Sequence, residues 1–146
     1  MCDYDRQAEE LLEAPCHIVD FLPKTVPADA PGQYFAVERY WLESGRHGAL
    51  AKRFAGIILK LMCYYRAAID WNGWTERPDP ALIDRAVSKI AKRRVGTLNC
   101  LFPDENALIV FDGDSLNIAV YNPGEEMRAI LAALAQSEGL FWRPGA

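Results

Sequence analysis

Two histidines, four cysteines and a scatter of carboxylates are the side chains of this sequence best suited to move protons, attack carbonyls or hold metals. His47 follows Ser44, Gly45 and Arg46, just ahead of a long apolar periodic segment. In a cleft, Arg46 could hold an anion while His47 transferred a proton, with Glu38 as a nearby carboxylate. The competing reading makes all three the polar surface of a loop and of a first helical turn. His17 follows Cys16 in a segment that reads as a strand, where alternate side chains face opposite ways. That is poor geometry for a Cys–His nucleophile.

A metal site would have to gather His17, His47, Glu38 and Cys16, with no ligand spacing to support it, so no metal or cofactor is expected. Asp112, Gly113 and Asp114 lack the other ligands of a calcium loop and read as a hairpin turn. Glu125 and Glu126 are adjacent carboxylates, but a first helical turn accounts for both through capping and the helix dipole. The chain contains no GxGxxG, GxxxxGK[ST], GxSxG or HExxH pattern. The expectation is a protein that is not an enzyme.

Other residues offer surfaces instead. Arg85, Lys89, Lys92 and Arg93 recur at i, i+4, i+7 and i+8, a basic stripe along one side of a helix. Charge is segregated: residues 1–45 carry a net −6, residues 46–94 a net +7 and residues 95–146 a net −5. The whole chain is at −4, so the high-pI footprint of a nucleic-acid binder is missing and nucleic acid is not expected as a partner. Trp41, Trp71, Trp74, Phe141 and Trp142 fall in loops or near element ends, where they either cap a small core or anchor an interface. The leading functional expectation is therefore a small non-catalytic protein-interaction or regulatory module, acting on a protein partner or on itself as a homodimer. Its interaction surface would draw on Trp41, Trp71, Trp74, Trp142, Arg85, Lys89, Lys92 and Arg93. The alternative is a small-molecule-binding protein or unfamiliar enzyme with a pocket near Arg46 and His47.

The elements that must position these residues can be read from periodicity. Residues 3–13 form a helix stopped by Pro15, and residues 17–22 form a strand between Pro15 and Pro23. Residues 24–32, with Pro27 and Pro31, form a loop. Residues 33–42 are rich in aromatic and β-branched side chains; a strand is expected, although a helix ending at Gly45 would also fit. Leu50, Phe54, Ile57, Ile58, Leu61, Tyr65, Ala68 and Ile69 recur at helical spacing and predict a core helix through residue 69. Gly56, Cys63 and Ala67 on its other side would let another backbone approach. A turn at Asn72-Gly73 ends that segment.

Asp79 and Pro80 open the next helix as N-cap and first residue. Its apolar stripe is Ile83, Ala86, Val87, Ile90 and Arg94, and Gly96 closes it. Asn122, Pro123 and Glu125 open the last helix as N-cap, N1 and N3, with Gly139 ending it. Residues 140–142 read as an edge strand or a packed terminal segment.

Residues 97–121 carry the strongest architectural signal. Three apolar runs are separated by two sets of turn residues. A four-residue first loop and a two-residue turn at Gly113-Asp114 would pair Phe102 with Ala107, Cys100 with Ile109 and Leu98 with Phe111. They would also pair Phe111 with Leu116, Ile109 with Ile118 and Ala107 with Val120. All nine of those residues are apolar and share one face. Such a dry meander requires helices packed upon it. The fold class expected is α+β, one domain over residues 1–146, with a mostly antiparallel sheet of four to six strands. Its 51% apolar and 25% charged composition is that of a globular chain. No apolar run reaches the ~20 residues of a membrane helix, residues 1–13 do not resemble a signal peptide, and the cysteines form no CxxC. A cytoplasmic protein with no membrane partner is the expectation.

Overall fold

The computed structural model describes residues 3–144. The chain begins with α1 (Tyr4–Leu11), β1 (Cys16–Asp20), α2 (Tyr34–Glu43) and α3 (Gly45–Leu61), followed by the short hairpin β2 (Ala68–Asp70) and β3 (Trp74–Glu76). It continues through α4 (Pro80–Arg93), β4 (Thr97–Phe102), β5 (Ala107–Asp112), β6 (Asn117–Tyr121), α5 (Glu125–Ser137) and β7 (Phe141–Pro144). The strands form one antiparallel seven-stranded sheet in the order β3-β2-β4-β5-β6-β1-β7. The architecture is α+β, and no described helix is long and apolar enough to cross a membrane.

The alternation in residues 97–121 sets the layers. Leu98, Cys100, Phe102, Ala107, Ile109, Phe111, Leu116, Ile118 and Val120 all lie in the main core. Beside them are Phe54, Ile57 and Ile58 of α3, Ile83 and Val87 of α4, and Met127 and Leu131 of α5. The opposite face is drier than its mixed sequence suggests, because Leu101 and Leu108 pack beneath Ala8 and Leu11 of α1. Across the β1 edge, Arg143 donates to the buried Asp20 carboxylate and to Thr25 Oγ1, which pins β7 in place.

The sheet has seven strands rather than the four to six expected, and several local details differ as well. Residues 33–42 are helical, not extended. The sheet's two edges are taken by β3 and β7, and Trp41 and Leu42 are used to pack α2 against the main core. Tyr34 also donates to Glu38 one turn later, at 3.2 Å, a contact that only a helix allows.

The core helix ends at Leu61, eight residues before the end of the apolar pattern. Ala68 and Ile69 serve instead as β2, facing Leu101 and Cys100, which is how the sheet grows to seven strands. Gly56 faces the Glu138 side chain rather than another backbone, while Cys63 lies exposed beyond the helix.

The β5–β6 register is offset by two from that predicted, pairing Phe111 with Ile118 and Ile109 with Val120. The favoured two-residue hairpin turns need positive φ at the first centre, and Gly113 does not adopt it. Gly113 instead donates to the Gly96 carbonyl at 3.1 Å, so close under the end of α4 that a Cβ would meet Val95 N at 2.7 Å. An even offset keeps the faces, so the nine-residue wall survives.

Asn122 is not the N-cap of α5; Gly124 is, and Glu125 is the first helical residue. Asn122, at φ +57°, ties the end of β6 to Pro15 O and Asn106 O. Arg94 leaves the apolar stripe as well. It is the exposed left-handed cap of α4, at φ +55°.

Candidate functional site

The site forms where α2 turns into α3 beside the end of α4. Ser44 is the N-cap of α3, in an extended conformation, and its Oγ accepts from the Arg46 N–H at 3.3 Å. A serine cap followed by two glycines in four residues leaves the first turn with little side-chain cover. A Cβ built on Gly45 or Gly48 would meet no atom within 4 Å. The positive end of the α3 dipole therefore lies beneath little side-chain cover.

That space is a cleft of about 770 Å³, lined by Ser44, His47, Gly48, Lys52, Lys92 and Arg94 among others. The volume lies within the range of roughly 300–1,000 Å³ typical of small-molecule sites. His47 forms its back wall and is only 3% exposed, yet its Nε2 is buried without a hydrogen-bond partner. Burial, and then the Arg94 guanidinium, hold the imidazole below its ordinary value of 6.5. The carbonyls of Ser115 and Ala91, with Asp114, pull weakly the other way. The ring is thus neutral at pH 7. Among the described residues, no carboxylate bonds to it, so the base and orienting acid of a hydrolase triad are not assembled.

Lys52, Lys92 and Arg94 form no ion pair among the described residues, and Glu43 is the one carboxylate in the lining. Three uncommitted cations, a helix N-terminus with little side-chain cover and an imidazole whose Nε2 lacks a partner converge on one opening. Anion binding is the chemistry this arrangement can perform.

No protein-family model, curated protein or solved structure matches the chain. The chemistry of the site therefore rests on its own geometry.

The expected trio of Arg46, His47 and Glu38 is divided. Arg46 lies on the other flank of α3, its guanidinium 5.3 Å from the centroid of the Trp41 ring. Glu38 accepts from Tyr34 and lines neither opening. Cys16 and His17 do project to opposite faces, beside Tyr121 and Val120 respectively. His17 stacks on Trp142, with ring centroids 5.1 Å apart, and is also held low by burial. Burial pushes the Cys100 thiol up to about 12, which leaves it inert as a nucleophile. Among the described residues, no three His, Cys, Asp or Glu side chains are grouped to hold a metal ion.

The tryptophans are dispersed rather than gathered in one patch. Trp74 belongs to edge strand β3, packs on the α1 face and donates to Asp5 at 2.6 Å; Trp142 belongs to the opposite edge, β7. Trp41 and Trp71 are half-buried against the main core. On α4, Arg85, Lys89, Lys92 and Arg93 are all exposed. Lys92 lines the His47 cleft, while Lys89 and Arg93 line a smaller opening with Trp71 and Val95.

Sequence reasoning did not single out Lys52, Gly48 or Arg94 as site residues. Lys52 is five positions from His47, and the signal that could have found it is the glycine pair beside a serine cap at the start of a strongly basic segment.

Proposed function

We propose that this protein binds a small anionic ligand, carrying a phosphoryl or comparable doubly charged group, in the cleft at the start of α3, without converting it chemically. The observation that carries this reading is His47 Nε2, buried without a partner at the back of a cleft ringed by Lys52, Lys92 and Arg94. A buried polar atom left unpaired is costly, and in the tautomer that carries its proton on Nε2 the ring donates to an incoming oxygen. The α3 N-terminus adds its dipole, and the cations add both affinity and steering.

Calorimetric titration of inorganic phosphate into the protein at low ionic strength tests this. Saturable binding is expected, weakening with salt and about fivefold or more weaker in Lys92→Gln and His47→Gln. No binding up to about 10 mM, or binding indifferent to both substitutions, would refute it.

A second reading, interaction with a protein partner or a second copy, is favoured by α2, which presents Phe35 (76% exposed), Val37 and Tyr40 to solvent and buries no residue fully. Sedimentation over a range of concentrations checks it: self-association lost in Phe35→Ser supports a homodimer, and a monomer throughout counts against one. The free thiols at Cys16, Cys63 and Cys100 support a reducing compartment such as the cytoplasm.

A further inference from the structure

On the opposite flank of the first α3 turn lies a second pocket of about 210 Å³, enclosed by Phe21, Trp41, Arg46, Leu50, Arg53 and Leu140. That volume is below the roughly 300–1,000 Å³ of drug-sized sites and on the scale of a small organic acid. The Trp41 ring packs on Phe21, with centroids 5.0 Å apart, and carries the Arg46 guanidinium over it. Its indole Nε1 is buried with no hydrogen-bond partner. An indole N–H can only donate, so whatever satisfies it must bring an acceptor.

The rest of the lining narrows the choice. Among the described residues no acidic side chain lines the pocket, and neither Arg46 nor Arg53 forms an ion pair. Arg53 commits one nitrogen to the Glu138 carbonyl at 3.3 Å, which positions its side chain beside the opening. Two guanidiniums and one N–H supply donors, while Phe21, Leu50 and Leu140 supply dry walls. A planar carboxylate suits a guanidinium through paired hydrogen bonds, and the apolar walls suit a hydrocarbon body.

We infer that this pocket binds a small monocarboxylate, its oxygens on Trp41 Nε1 and the arginines and its apolar body against Phe21, Leu50 and Leu140. The inference does not rest on the His47 cleft, since the two linings share only Ala49.

Phenylacetate is a suitable probe, with the uncharged 2-phenylethanol as its control. Saturation-transfer NMR and calorimetry on the full chain should show saturable phenylacetate binding and none by 2-phenylethanol. Trp41→Phe keeps an aromatic ring but removes the N–H, and should weaken binding about fivefold or more. Arg46→Gln, on an exposed side chain that leaves the core untouched, should weaken it similarly and guards against a folding defect in the first variant. Trp142→Phe should change nothing, and inorganic phosphate should not displace the probe. Equal binding of acid and alcohol would overturn the assignment. So would an affinity unchanged in both Trp41→Phe and Arg46→Gln, or no saturable phenylacetate signal up to about 10 mM.

Discussion

Nine alternating side chains of the β4–β6 region are at most 3% exposed, whereas none of the ten residues of α2 is buried. The first region has every backbone ladder paired and a helix-covered apolar wall. The second packs on the main core through Trp41 and Leu42, and around its junction with α3 two side-chain nitrogens, Trp41 Nε1 and His47 Nε2, lack partners. In the wall, each residue is fixed by its neighbours, and a ligand would have nothing to add. At the α2–α3 elbow, polar groups are presented but not satisfied, which is the condition a binding site requires. Rigidity and unmet hydrogen-bonding capacity are placed side by side along α3 and its junction with α2.

The contrast is broken most severely from the wall. Phe111→Ala should cost about 3–5 kcal/mol, read as a fall in the urea midpoint at constant slope, because the site is fully buried against Phe54. Gly113→Ala should come next, at about 1–3 kcal/mol, since its methyl group would press on Val95 N and Ile90 O, backbone atoms with little freedom to yield. Phe35→Ser should change stability by less than about 0.5 kcal/mol despite removing a phenyl ring, because that ring stands in solvent. A large loss there would show that α2 is held more tightly than its exposure implies.

Acid sharpens the comparison further. His17 and His47 both titrate below the ordinary 6.5 in the folded protein, chiefly through burial. The unfolded chain therefore takes up protons first. The stability due to these groups is fully present above about pH 6.5 and is lost as pH falls from there towards the lowered folded values. Thermal melts at pH 7.5 and 5.5 should show a smaller decline in His47→Asn than in the parent.

The wall was legible because period-two alternation survives a register error: the pairing of β5 with β6 moved by two, and every core residue kept its face. Helix boundaries were not. The spacing of Tyr65, Ala68 and Ile69 continues the α3 pattern by coincidence, and the vacant edge of β4 claimed Ala68 and Ile69 as a strand. In α2, aromatic residues favoured a strand locally, but a sheet with both edges already occupied left a helix as the element that could dock. The site was half legible. His47 was found from its place beside Ser44 and Gly45, but its true neighbours Lys92 and Arg94 come from a helix more than forty residues away. The companion assigned to it, Arg46, points to the other flank because consecutive helical residues diverge by about 100°.

The central claim is that His47 faces an anion. The most direct measurement follows the His47 imidazole by NMR as a function of pH, with and without saturating inorganic phosphate. The account predicts a titration below 6.5 in the free protein that moves upward on phosphate binding, with shift changes confined to the start of α3 and the end of α4. A His47 titration unmoved by phosphate, with no localised shift changes, would contradict it.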